Sequence, residues 1–127
     1  MWNLTSDRPI YIQLMEVIQR RIITGIYQPG ERIPSVRELA DEAKVNPNTM
    51  QKALSELERS GLIYSQRTNG RFITEDTSMI KEAKISLARD QIESFLNQMK
   101  QYGYSATEVA DLILHHTTSN QSMKKGE

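Results

Sequence analysis

Two helix-start signals that lie close together constrain the fold of this chain most. Ser35 and Glu38 form a capping box, in which the serine caps the first amides and the glutamate reaches back. Asn46-Pro47 is a second start, an N-cap residue followed by proline at the first helical position. The helix between them must therefore be short, and another helix must follow at once. The inward residues of the short helix between the two signals are predicted to be Val36, Leu39, Ala40 and Ala43.

The flanking segments complete a recognisable order of elements. A first helix is predicted after Ser6–Pro9, and it should stop at Gly25. Pro29-Gly30 has the residue order of a type II turn. The helix after Pro47 should end at Gly61, and apolar residues around Asn69-Gly70 then predict a β-hairpin in which both turn residues tolerate positive φ. Residues 9–74 are thus expected to form a winged helix-turn-helix. The apolar residues predicted to face inward on the first and third helices are Ile10, Leu14, Val17, Ile18, Ile22, Met50, Ala53, Leu54 and Leu57.

Three stretches of this region resemble a known family. They are Gly25–Ala40, Val45–Ile63 and Asn69–Ile73. Together they resemble the DNA-binding domain of GntR-family bacterial transcription regulators, over about half the chain. Many members carry a Ser-Arg type pair where this chain has Asn46-Pro47, and the Val-Asn-Pro-Asn-Thr form is similar to the YtrA-type branch. That resemblance implies a short C-terminal region and a repressor, commonly of a transporter operon.

The charge distribution permits a local contact with a polyanion. The chain has 127 residues, with 16 Lys and Arg against 16 Asp and Glu, so its net charge favours no partner. Residues 1–74 nevertheless carry ten basic against eight acidic residues, whereas residues 75–127 carry six against eight. The chain has no cysteine, and its sequence shows neither a signal peptide nor an apolar run long enough to span a membrane. We expect a cytoplasmic protein that makes no membrane contact.

The residue pattern after Thr74 predicts helices whose apolar stripe has no assigned packing partner. A long helix is expected from Met79, interrupted at Gly103, and a capping box at Ser105 and Glu108 should open a short final helix. Such a stripe could pack on the winged helix or pair with a second chain, and dimerisation is favoured because two-fold symmetry supplies a second DNA half-site. The expected domains are residues 1–76 for DNA binding, 77–116 for dimerisation and 117–127 as a flexible tail. The predicted dimerisation stripe is Ile85, Ala88, Ile92, Phe95, Leu96, Met99 and Tyr102.

The third helix presents polar side chains opposite its apolar face. This surface could be an ordinary solvated face, but its place in a helix-turn-helix favours contact with double-stranded DNA. Asn and Gln amides can bond adenine edges, whereas Lys and Arg reach guanine or phosphate. The candidate DNA-binding residues on this helix and its cap are Asn46, Asn48, Thr49, Gln51 and Lys52.

Two further groups of candidates flank that helix. Ser35 and Arg37 lie at the start of the second helix, where amides and a guanidinium favour phosphate. The family resemblance also implies a DNA contact for Arg37, and the alternative is an ion pair with Asp41. The hairpin candidates, for which plain turn chemistry is the alternative at Asn69, are Arg67, Asn69, Gly70 and Arg71.

Other functions have weaker support in the sequence. His115 and His116 point in divergent directions on a helix and have no Cys or clustered carboxylates beside them, so no metal or other cofactor is expected. There is no nucleophile–base pair and no phosphate-cradling loop, so we expect no enzyme activity. We therefore predict a sequence-specific transcription regulator that binds an inverted repeat as a homodimer. A winged-helix protein-interaction module is the alternative, and an effector pocket near Tyr102 and Tyr104 is left open.

Overall fold

The protein contains five helices and one hairpin within the part of the chain that the structure describes. A computed structural model describes the backbone of residues 2–125 and the side chains of residues 2–119. A boundary between two compact units falls after Lys84. The elements in order are α1 (Ile10–Ile23), α2 (Val36–Ala43), α3 (Pro47–Ser60), β1 (Ile63–Gln66), β2 (Gly70–Ile73), α4 (Thr77–Lys100) and α5 (Ala106–Lys125).

The first unit has an apolar core built from α1, α2, α3 and the hairpin. Each of the three helices buries one stripe of side chains, as the helical spacing of its apolar residues predicts. Leu14, Leu39 and Leu54 are fully buried, one from each helix. Ile63 and Ile73 extend the core into the hairpin. The predicted winged helix-turn-helix is therefore confirmed.

The helix termini follow the sequence signals, with one difference. The Ser35–Glu38 capping box is formed in both directions, and the Asn46 side chain accepts a hydrogen bond from the Asn48 N–H at 2.7 Å. At α1, however, Pro9 occupies the N-cap and no side chain caps the helix. The buried Gln13 fixes the preceding segment instead, because its amide donates to the Thr5 and Arg8 carbonyls.

The hairpin is a two-stranded antiparallel sheet that gains a third segment along β2. Ile63 pairs with Ile73 and Gln66 pairs with Gly70. The expected hairpin is present; Gly70 adopts a positive φ of +93°, whereas Asn69, which could also tolerate one, does not. The reason is that residues 67–69 form a longer loop, closed by an Asn69 N–H to Gln66 carbonyl bond. On the other side of β2, Arg32 forms an antiparallel bridge with Phe72.

The first turns of α4 belong to the N-terminal unit. Met79, Ile80 and Ala83 are partly buried against its core. A Cβ built on Gly61 would lie 3.2 Å from the Met79 sulfur, so α4 begins in close contact with the C-terminal end of α3. The winged-helix unit therefore extends beyond residue 76.

The second unit contains the rest of α4 and α5. The Ser105–Glu108 capping box is present, and Val109 is buried. The expectation of a short final helix is wrong, because α5 has 20 residues and its backbone remains helical to Lys125. The tail expected from residue 117 is thus helical as far as the structure describes it. No helix within the described residues is both long and apolar enough to cross a membrane.

Candidate nucleic-acid interface

The exposed face of α3 carries polar side chains and no carboxylate near its start. Asn48, Gln51 and Lys52 are exposed, and Thr49 is half-buried. The Gln51 amide donates to the Ser55 hydroxyl at 3.3 Å, a long bond that leaves its oxygen available. Because Met50, Leu54 and Leu57 are fully buried beneath this face, the first turns of α3 are held rigidly. Amides on a rigid helix start are suited to base edges.

Lys52 is placed by a residue that the sequence reasoning missed. Its ammonium lies 4.0 Å from the centroid of the Tyr11 ring, on α1. Such a cation–π contact orients the charge without neutralising it. Tyr11 is half-buried, so α1 supplies an aromatic support for a cation of α3. The apolar period of α1 predicted which face is buried but gave no signal for this contact between helices.

The start of α2 presents Ser35 and Arg37 as expected. Ser35 is the N-cap residue, and its oxygen already accepts the Glu38 N–H at 3.1 Å. Arg37 is exposed and, among the described residues, has no ion-pair partner. Among the described residues no ion pair joins Arg37 to Asp41; the Asp41 carboxylate lies 3.9 Å from the Lys44 ammonium instead. Arg37 is therefore available to an external anion.

The two arginines of the hairpin have different environments. Arg67 is exposed in the loop and has no ion-pair partner among the described residues. Arg71 is half-buried, and its Nε donates to the Glu58 carboxylate on α3. Burial raises the pKa of Glu58, but hydrogen bonds from Ser65 and Arg71 outweigh it and bring the pKa below its usual range. Arg71 therefore links the hairpin to α3.

The remaining hairpin candidates shape the loop. Asn69 donates from its side-chain amide to the Gln66 side-chain oxygen at 3.3 Å. Gly70 lies beside Arg32, because a Cβ built on Gly70 would be 3.0 Å from the Arg32 Nε. Arg32 was not a candidate from the sequence, because it lies in the turn region between α1 and α2. Only the pairing along β2 brings it to the hairpin.

The apolar stripe expected on α4 is exposed over much of its length. Ile85, Ala88, Ile92 and Phe95 are exposed, and Leu96 and Met99 are half-buried. Tyr102 is 78% exposed and lies beyond the end of α4, in the turn before Gly103, so its expected place on that helix is wrong. The helix ends at Lys100 because Gly103, with a φ of +90°, forms the following turn. Within the part of the chain described, no group of three His, Cys or acidic side chains could hold a metal ion.

These features define a class of protein. A capped helix, a sharply started third helix with an exposed polar face, and a hairpin with a basic loop form a DNA-binding winged helix-turn-helix. Residues 10–73 match the model of the GntR family, described as bacterial regulatory proteins. The chain belongs to the GntR family, and it is a DNA-binding transcription regulator.

Two curated relatives from Bacillus subtilis cover most of this chain. An HTH-type transcriptional regulator named YhcF is 41% identical over 85% of this chain and 89% of its own length. The HTH-type transcriptional repressor YtrA is 32% identical over 96% of this chain and 95% of its own length. Both relatives are regulators rather than enzymes, and each matches both units of the chain.

Solved structures agree with this assignment. A GntR family transcriptional regulator from Listeria monocytogenes has a TM-score of 0.82 and 34% identity, covering 88% of this chain and 98% of that one. The DNA-binding domain of AraR in complex with an operator has a TM-score of 0.52 and 32% identity, covering 58% of this chain and 90% of that one. The winged-helix part is therefore similar to a domain that has been seen on DNA, which favours the regulator over the protein-interaction module.

Proposed function

We propose that this protein is a repressor that binds an inverted-repeat operator as a homodimer. The observation that carries the proposal is the start of α3, where Asn48 and Gln51 are exposed above a fully buried apolar stripe. Their amides would read base edges in the major groove, and Thr49 would contact the same groove from the flank. Similarity to a curated repressor over nearly the whole chain supports repression.

The phosphate contacts would come from cations with no carboxylate partner. Arg37 at the start of α2 and Arg67 in the hairpin loop meet that condition among the described residues. Lys52 would add a third positive charge, held against Tyr11. The Ser35, Asn46, Asn69 and Gly70 backbones would approach the duplex at the ends of these elements. Arg71 would act mainly by fixing the hairpin to α3.

Dimerisation would place two such reading surfaces on one operator. Beyond Lys84, α4 and α5 leave large apolar side chains in solvent, including Ile92 at 57% and Leu114 at 66% exposure. Apolar surface of that extent is typical of a contact face. A second copy covers it most simply, because isologous pairing matches the two-fold symmetry of an inverted repeat. The proposed stripe is Ile85, Ala88, Ile92, Phe95, Leu96 and Met99, with Tyr102 at its end.

Selection of bound fragments from a random DNA pool tests the proposal. We expect an enriched inverted repeat whose half-sites lie about one or two helical turns apart. Matches to that site upstream of a transporter operon, the target suggested by the YtrA-type branch, would identify the regulated genes. A reporter driven by such a promoter should then become more active when the regulator is deleted. An enriched site without symmetry would overturn the dimer, and a less active reporter would overturn repression.

A further inference from the structure

The β1–β2 hairpin, residues 63–73, is the wing of the winged helix, and residues 67–69 form the wing loop. A basic side chain from outside this hairpin lies against it. We propose that the guanidinium of Arg32, in the segment between α1 and α2, binds a DNA phosphate beside the wing. The inference rests on the proposed mode of DNA binding and adds one residue to it. Three observations carry it: the pairing of the segment with β2, the position of the side chain at Gly70, and the absence of a carboxylate partner within the described residues.

Backbone pairing fixes Arg32 at the wing. The Ile33 N–H donates to the Arg71 carbonyl at 3.0 Å, and the Ile73 N–H donates to the Glu31 carbonyl at 2.8 Å. Between these bonds Arg32 bridges Phe72. The segment is therefore an added strand of the wing, even though it precedes the hairpin by more than thirty residues in the sequence. Its side chains have a defined position relative to the wing.

The Arg32 side chain lies against the glycine at the base of the wing loop. An ideal Cβ on Gly70 would be 3.0 Å from the Arg32 Nε and 3.4 Å from a terminal nitrogen. Any other residue at position 70 would meet the guanidinium, in addition to the strain of its positive φ of +93°. The absence of a side chain at Gly70 thus lets the guanidinium lie next to the wing backbone, where a DNA strand would approach.

The charge of Arg32 is available to a ligand. Arg32 is exposed, and among the described residues no carboxylate lies within ion-pair distance of it. The neighbouring Glu31 accepts the Gln28 N–H at 2.7 Å, and Glu38 accepts the Ser35 N–H at 3.0 Å. Hydrogen bonds from Ser35 are the main cause that lowers the pKa of Glu38, and the nearby charge of Arg32 adds to the lowering without forming an ion pair. Both carboxylates are thus hydrogen-bonded in local turns. Arg71 differs from Arg32, because it already forms an ion pair with Glu58.

Phosphate is the ligand that suits this arrangement. A guanidinium presents several donors in a fixed plane and binds phosphate oxygens well. A side chain held on a strand loses less conformational freedom on binding than one on a mobile loop. The wing would thus present two cations, Arg67 from its loop and Arg32 from its added strand.

The experiment is a salt titration of DNA binding with matched charge changes. Full-length Arg32→Ala, Arg32→Lys and Arg8→Ala variants are compared with the wild type on the selected operator and on random duplex. Arg8 is the control because it loses the same charge but is already paired with Glu16 at 2.8 Å. Thermal melting of each variant confirms that it is folded.

We expect Arg32→Ala to weaken binding to both duplexes by about three- to tenfold and to reduce the salt slope by about 0.9 per bound protomer. Arg32→Lys should retain the slope, and Arg8→Ala should bind as the wild type does. If Arg32→Ala and Arg8→Ala behave alike, the assignment is wrong. A loss confined to the operator with an unchanged slope would also overturn the phosphate contact. Binding to random duplex requires neither a symmetric site nor base reading. The effect of Arg32→Ala on random duplex can therefore be present even if the proposed inverted-repeat operator is wrong, so the two proposals are tested separately.

Discussion

The Nε of Arg71 on β2 lies 2.5 Å from a carboxylate oxygen of Glu58 on α3, and this ion pair joins the wing to the third helix. The Ser65 hydroxyl, on β1, donates to the same oxygen. One carboxylate therefore connects α3 with both strands of the hairpin. It adds a polar connection between the hairpin and α3 to the burial of Ile63 and Ile73 in the shared core.

Replacing either Glu58 or Arg71 should lower the stability of the N-terminal unit. We expect Glu58→Gln or Arg71→Ala to lower the free energy of unfolding by about 1 kcal/mol, because both side chains are less than one third exposed. A double-mutant cycle in urea measures the coupling between them. Arg67→Ala is the control, since that exposed arginine should leave stability unchanged. Additive effects of the two substitutions would show that the pair contributes nothing.

Substitutions on the two faces of α3 should affect different properties: those on the buried face should lower stability, and those on the exposed face should weaken DNA binding. Leu54 is fully buried, so Leu54→Ala should cost about 2–5 kcal/mol of stability by leaving a cavity. Asn48→Ala and Gln51→Ala, at exposed positions, should leave the melting temperature nearly unchanged. Each should cost about 1–3 kcal/mol of preference for the operator over random duplex if a bidentate base contact is lost. Wild-type binding by both variants would place base reading elsewhere.

The Tyr11 ring should matter through its π face rather than its hydroxyl. Tyr11→Phe keeps a ring under the Lys52 ammonium, so we expect it to bind DNA nearly as the wild type does. Tyr11→Leu removes the ring and should weaken binding about as much as Lys52→Ala does. Filter binding on random duplex measures both. If Tyr11→Phe is as weak as Tyr11→Leu, the hydroxyl rather than the ring is the important group.

The boundary between the units predicts where the chain can be cut. A fragment ending at Lys84 keeps Met79, Ile80 and Ala83 on the core and should fold as a monomeric winged helix. A fragment ending at Asp76 loses that packing and should be less stable by about 1–3 kcal/mol. Sedimentation and thermal melting of the two fragments test this. A dimeric fragment 1–84 would move the interface into the N-terminal unit.

A point substitution tests the same interface in the full chain. Ile92→Asp should dissociate the dimer, because it would bury an unpaired charge at the proposed contact. Ser94→Asp adds the same carboxylate at an exposed polar position of α4 and should leave the dimer intact. Sedimentation equilibrium distinguishes them. Dissociation by both variants would indicate a charge effect rather than a contact at Ile92.

Stability should fall in acid for a reason that the structure identifies. Hydrogen bonding from Arg21 is the main cause that lowers the pKa of Glu42, aided by the Trp2 indole, from its ordinary value of 4.5. A carboxyl with a depressed folded-state pKa binds fewer protons than it does in the unfolded chain, so it stabilises the fold above about pH 4.5. That contribution is lost as the pH falls through the folded-state pKa. Glu42→Gln should therefore reduce the slope of unfolding free energy against pH below about 4.5, measured by urea titration. An unchanged slope would show that Glu42 does not contribute to the loss of stability in acid.

The sequence predicted the features that depend on neighbouring residues. Capping boxes, the Asn46-Pro47 start and the glycine helix stops are local, so each was visible in a few letters. Contacts between distant segments gave no such signal. The support of Lys52 by Tyr11, the Glu58–Arg71 pair and the approach of Arg32 to Gly70 depend on how elements pack. The length of α5 was underestimated because its polar residues lack the apolar period by which helices are recognised.

Pairing of residues 31–33 along β2 also affects how two copies of this chain behave near each other. A strand at the edge of a sheet offers unpaired amides and carbonyls to any other strand. Here β2 is bonded on both sides, to β1 and to the segment that carries Arg32. If two copies bind one operator as proposed, their hairpins therefore cannot join edge to edge through β2. Any strand addition between copies would therefore have to use the outer edge of β1 or the short segment that carries Arg32.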